Sequence, residues 1–243
     1  PKISMQGLAD YSRNGGYVQG GVTMTNETVK CNFDRGRRFD VDVMDDLETA
    51  GLAFGRLSAQ FIRDKVVPEL DAFRFASYCG ISGVTKKEET LADGAATVAA
   101  LSAAVTAMDD EEVTATGRYL FITPTLLQGI NDMDTTKSKK VLEGFEQVIK
   151  VPQRRFYTAI KQLSGKTGEE AGGYTKATGA ANINFAIVQK DALIQYTKHA
   201  APKIIAPENN PDADAYVFGY RMVGIAKAYK NMLSGMYFSH DKA

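Results

Sequence analysis

From Tyr17 to Met44 the chain alternates like two β-strands around a turn. Val18, Val22 and Met24 share one side of the first strand and Val29, Cys31 and Phe33 one side of the second, with the turn at Thr25-Asn26-Glu27-Thr28. After Gly36 the alternation is strict: Phe39, Val41 and Val43 fall on one face, Arg38, Asp40 and Asp42 on the other, as in a half-buried strand. The period then changes. Leu47, Ala50, Phe54, Leu57 and Phe61 recur at steps of three and four, which predicts an amphipathic helix running to Cys79. Asp45 as N-cap with Glu48 three residues on has the form of a capping box, Gly80 suits the other end, and Pro68 is expected to kink the helix. About 33 residues at ~1.5 Å each would make it roughly 50 Å long. Phe54, Leu57, Phe61 and Leu70 are expected on its buried side.

A second helix, rich in small residues, starts near Leu91 in LADGAATVAALSAAVTAM; GRYLFITP reads as a buried strand, and Pro124 opens a short helix through Leu127. Ser164 to Asn182, glycine-rich and charged, reads as an exposed loop. Strand patterns return at INFAIVQ and AYVFGYRMVGIAKAY, giving an α+β chain with a late β-rich section.

Composition narrows the function classes. Lys plus Arg equals Asp plus Glu at 29 each, so no net field draws the chain to nucleic acid or an anionic membrane. No apolar run approaches the ~20 residues that span a bilayer, and the opening lacks a secretory pattern. Cys31 and Cys79 fall in different elements, which favours free thiols in a reducing compartment. The chain opens at Pro1 without an initiator methionine, so residues upstream are expected.

Catalytic patterns are weak. His199 and His240 each stand without a companion ligand or base, and read as structural or exposed. SGKTGEE has the Gly-Lys-Thr end of a phosphate loop, but Ile160 occupies the position of the earlier glycine, so no nucleotide site is expected there. Asp109 to Glu112 read as a solvated turn rather than a cation site, because consecutive carboxylates cannot all face one ion. Neither an enzyme nor a cofactor or metal site is expected.

The segments SMQGLADYSRNGGYV, DRGRRFDVDVMDDLETAG, FIRDKVVPELDAFRFA, GRYLFITPTLL, DMDTTKS and DADAYVFGYRMVGIAKAY resemble those of tailed-bacteriophage major capsid proteins, almost end to end. That resemblance implies the Hong Kong 97 fold: an α+β chain with an extended β-hairpin loop, a long spine helix in a peripheral domain, and a mixed axial domain. It places the end of an N-terminal arm at 1–10, the extended loop and return strand at 11–44, and the peripheral domain at 45–112 with its spine helix at 45–79. The axial domain follows at 113–195 and a return to the peripheral domain at 196–243. The implied function is a structural head-shell subunit that assembles with itself into hexamers and pentamers of an icosahedral virion shell. Such a shell is made in the bacterial host cytoplasm and encloses double-stranded DNA, with scaffold, portal and decoration proteins as further partners and no membrane. The alternative is an encapsulin-type nanocompartment shell enclosing protein cargo.

Within that frame three guanidinium groups in four residues, Arg35, Arg37 and Arg38, are expected to serve contacts between subunits. Asp34, Asp40 and Asp42 can satisfy some of this charge, while a bend at Gly36 would turn Arg35 and Arg37 outward towards Glu48, Glu69 and Asp71 on a neighbour's spine helix.

Overall fold

Residues 2–48, 52–133 and 136–242 are described by the computed structural model, in which the chain divides into two units, Pro1–Cys31 and Asn32–Ala243.

The first unit is a two-stranded antiparallel ribbon of β1 (Lys2–Met5) and β2 (Val22–Thr25). Ile3 lies opposite Met24 and Met5 opposite Val22, so all four apolar side chains share one face, while Ser4, Thr23 and Thr25 take the other. The apolar face is not covered: Ile3, Met5, Val22 and Met24 are 55%, 70%, 72% and 62% exposed. This corrects the hairpin expected around Thr25 to Thr28. β2 pairs with the segment before it, because Phe33, expected in the partner strand, is drawn into the second unit, where its ring packs 4.9 Å from that of Phe73.

The second unit contains two principal sheets. β3 (Phe33–Asp42) leads into α1 (Val43–Glu48), α2 (Leu52–Phe61), a π-helical turn at Ile62–Val66, and α3 (Val67–Cys79). The helix start lies earlier than the Asp45 cap predicts, since the Asp42 carboxylate accepts the Met44 amide at 2.8 Å and so caps α1. Pro68 has no amide to donate and its ring crowds the preceding turn. The chain answers with the wider π turn just before it, closed by the Val67 amide donating to the Ile62 carbonyl. Leu57, Phe61 and Leu70 are half-buried rather than sealed, and the Phe54 side chain lies outside the described residues.

Beyond α3 follow β4 (Thr85–Glu88), α4 (Gly94–Asp110), β5 (Arg118–Ile122), α5 (Pro124–Asp132), α6 (Thr136–Glu143) and β6 (Gln147–Lys150). A hairpin of β7 (Ile160–Gln162) and β8 (Tyr174–Lys176) comes next, then β9 (Ile183–Gln189), β10 (Leu193–Ile205), β11 (Ala215–Ala228) and β12 (Met236–His240).

A three-stranded antiparallel sheet, ordered β10-β11-β3, packs against the helix column through Phe33 on Phe73 and Phe39 on Phe61. A five-stranded mixed sheet, ordered β4-β12-β9-β5-β6, has two apolar layers. Leu101, Met108, Leu120, Ile122, Phe185 and Ile187 form one with α4 and α5; Phe156, Ile183, Val188, Met236 and Phe238 form the other with the end of α3. Every residue of β9 is buried, which is why INFAIVQ reads as a continuous apolar run. Where α4 crosses α5, a Cβ on Gly94 would stand 2.2 Å from the Gly129 carbonyl oxygen, so only glycine permits that approach.

The five-stranded sheet crosses the expected boundaries at 112 and 195. β4 and α4 join β5, β6 and β9 in one core, and β12 inserts between β4 and β9, because the sheet is completed by strands from both ends of the unit.

Asp109, expected in a solvated turn, ion-pairs at 2.7 Å with the buried Arg118, whose guanidinium also donates to the Val113 and Thr114 carbonyls. Arg118→Met should lower unfolding free energy by about 1–2 kcal/mol, since the Val113 and Thr114 carbonyls lose their donor while the exposed Asp109 carboxylate returns to water. Urea denaturation of the unassembled subunit measures it.

Candidate assembly surface

β3 runs through Gly36 without a bend, so its side chains keep their period of two. Glycine is required there for another reason: a Cβ would come 2.7 Å from the Tyr220 carbonyl oxygen on β11. The unbroken period puts Arg35 and Arg37 on the same face as Phe33 and Phe39, turned towards the helix column, with Arg38 on the opposite face. The outward turn expected for Arg35 and Arg37 is therefore corrected, and both find acceptors inside their own subunit.

Arg35 Nε donates to Glu69 Oε1 on α3 at 2.8 Å, and Arg35 Nη2 donates to the Leu163 and Gly173 carbonyls at 2.7 and 3.2 Å. Arg37 Nη2 donates to the Glu170 carbonyl at 2.9 Å. Arg38 pairs with Asp40 at 2.9 Å, and Asp71 with Arg155 at 3.0 Å. The Glu48 side chain lies outside the described residues. Missed by sequence reasoning are Arg155 and Arg221, whose partners Asp71 and Asp34 lie 84 and 187 residues away; no local spacing signals such pairs. The Arg221 guanidinium holds the Asp34 carboxyl below its ordinary range by hydrogen bonding.

These contacts tie the β7–β8 loop to β3. The loop is a turn held by its own carboxylates: Glu169 accepts from the Ser164 amide at 2.7 Å and from Lys161 at 2.6 Å. Gly165 and Gly172 adopt φ of 72° and 63°, a left-handed conformation that favours glycine, and lie beside Arg37 Nη1. The segment read as loop thus contains β8 and closes a hairpin.

Hydrogen bonding from Lys161, then from Ser164, lowers the Glu169 pKa to about 2. A depressed folded-state pKa means the contact is fully present above the ordinary value near 4.5 and is lost as pH falls towards about 2. The Ser164 amide resonance in NMR should titrate with a midpoint near 2, and Glu169→Gln should abolish that titration; a midpoint near 4.5 would show the contact absent.

Between the β3–β11 face, the α2 end of the helix column and this hairpin lies an open groove of about 1130 Å³. Phe39, Tyr220 and Met222 line its floor, Leu57 and Phe61 one wall, and Tyr174 the other. Burial pushes the Tyr220 and Tyr174 hydroxyls up in pKa, so the groove is lined by neutral phenols between its charges.

Solved structures with this arrangement of elements come from several sources. A structure from Gordonia phage Cozz superposes with a TM-score of 0.61 at 10% identity, covering 100% of this chain and 81% of its own. The capsid structure of the cyanophage P-SCSP1u gives 0.57 at 14% identity over 99% and 84%. The chain has the fold of a phage capsid shell. It is the Hong Kong 97-type α+β fold, matched over almost the whole length. A virus-like particle from Pyrococcus furiosus matches equally, with a TM-score of 0.57 at 9% identity over 98% and 86%. No family model matches the chain, and no curated protein sequence does. The capsid fold is carried here by a sequence far from those of its structural neighbours.

Proposed function

We propose that the chain is the major head-shell subunit of a tailed bacteriophage, assembling with itself into hexamers and pentamers of an icosahedral shell around double-stranded DNA. One observation carries this reading beyond the fold: the β1–β2 ribbon presents four apolar side chains on one exposed face. A two-stranded ribbon is marginal in water and needs a further layer. A neighbouring subunit supplies that layer in a shell.

In this reading the ribbon and the residues up to Cys31 form the extended loop. The helix column with the β10-β11-β3 sheet forms the peripheral domain. The five-stranded sheet with α4, α5 and α6 forms the axial domain. The role is structural, without catalysis, and the subunit resides in the virion after synthesis in the host cytoplasm, with scaffold, portal and decoration proteins as further partners. The zero formal charge suits a shell filled by a separate motor rather than one that condenses DNA through its own cations.

The match to a virus-like particle from Pyrococcus furiosus keeps the encapsulin-type shell as the second reading. Particles purified from expressing cells and treated with nuclease separate the two. Protected double-stranded DNA supports the phage head; a stoichiometric protein cargo without DNA supports the nanocompartment.

A further inference from the structure

The groove beside β3 carries an excess of positive charge. Six Lys and Arg side chains line it against two carboxylates, Asp64 and Glu69. Arg35 and Arg155 are occupied by Glu69 and Asp71. Arg37, Lys65, Arg154 and Lys176 are exposed, and among the described residues none of them is in an ion pair.

The whole chain is balanced at 29 charges of each sign, so this excess has a counterpart elsewhere. Residues 39–46 and 205–215 together contain seven carboxylates and no Lys or Arg. The two segments meet at one corner, where Asp42 lies opposite Ala215 and the Val43 amide donates to the Asp214 carbonyl at 3.2 Å.

Groove and corner sit on the same strand. Arg37 and Asp42 are fixed on β3 five residues apart, roughly 17 Å at the rise of an extended strand. A ten-residue strand hydrogen-bonded into a sheet cannot fold its end back, so the corner of one subunit cannot enter its own groove.

The geometry points to a second copy of this chain as the occupant, its acidic corner (Asp42, Glu208, Asp212 and Asp214) docking into the basic groove of the first (Arg37, Lys65, Arg154 and Lys176). Such a contact joins two different patches and is head-to-tail. It is the class of contact that closes rings, whereas a two-fold contact of either patch with itself would set like charges together. The inference rests on the shell reading and adds which surfaces carry the charge-dependent part of assembly.

The test uses three variants and sedimentation velocity across protein and salt concentration. Lys65→Glu with Arg154→Glu reverses the groove; Asp212→Lys with Asp214→Lys reverses the corner; the third chain carries all four. All four side chains are exposed, so near-wild-type melting is expected for each variant. Each pair of reversals should weaken self-association by ~10-fold or more at low salt, and the four-fold chain should recover most of the loss. Rising salt should weaken the wild type and flatten the differences among the variants.

If the wild type assembles and both reversed pairs assemble equally well, the docking inference fails and the shell reading stands. A wild type that stays monomeric at every concentration overturns both. If a duplex DNA oligonucleotide binds the wild type, and the groove reversal abolishes that binding without touching self-association, the groove belongs to nucleic acid and the inference is overturned.

Discussion

Ile3→Glu combined with Met24→Glu should abolish particle formation while leaving the unfolding of the Asn32–Ala243 unit unchanged. The two side chains lie opposite each other on the apolar face of the ribbon, at 55% and 62% exposure, and bury little within their own unit. Fully burying an apolar side chain of this size contributes ~1.5–3 kcal/mol, and with a little over half of each still exposed the pair accounts for about 2–4 kcal/mol per covered ribbon. Two carboxylates on the same face add a desolvation cost on top of that loss. A closed shell repeats the contact in every subunit, so the deficit compounds. Size-exclusion chromatography with light scattering should show monomers at concentrations where the wild type elutes as particles. Normal particles from the double variant would mean that the ribbon face is not an assembly surface.

The largest single effect on the isolated subunit is expected at Phe156. Its ring is fully buried, 4.7 Å from that of Phe75 on α3, in the layer shared with Ile183, Val188 and Phe238. The residue therefore joins the helix column to the five-stranded sheet. Its carbonyl also accepts the Ile183 amide at 3.0 Å, and its position is set by the short turn before it. Phe156→Ala should cost ~3–5 kcal/mol, from lost burial plus the cavity left behind. Urea denaturation should show a lower midpoint with an unchanged slope. A loss below about 1 kcal/mol would mean that the two layers do not meet at this ring.

The sequence pattern foretold elements that are periodic and locally closed. The helix through Phe61 and Phe75, the small-residue helix α4, and the buried strands β5 and β9 all follow from spacing. Strand partners do not. Alternation suggests that β2 pairs with the segment after it, whereas it pairs with β1, because alternation gives the face of a strand and leaves its neighbour unspecified. β10 went unread because it lies at a sheet edge, mostly exposed and interrupted by Pro202, which an edge tolerates.

The arginine cluster shows the same limit. Charge density drew attention to Arg35, Arg37 and Arg38. Arg38 keeps a local acceptor in Asp40, but those of Arg35 and Arg37, Glu69 and the 163–173 loop, come from segments more than 30 residues away, so that clamp is legible only once β3 is packed beside α3 and the hairpin. Two of the groove's cations outside ion pairs, Lys65 and Arg154, lie in separate segments and have no sequence signal of their own.

Electron microscopy of the chain, expressed and purified without partners, tests the shell assignment most directly. Closed icosahedral particles, with each ribbon lying on a neighbouring subunit, are the expected result. A monodisperse monomer at every protein concentration, with the ribbon's apolar face still open to solvent, would contradict it.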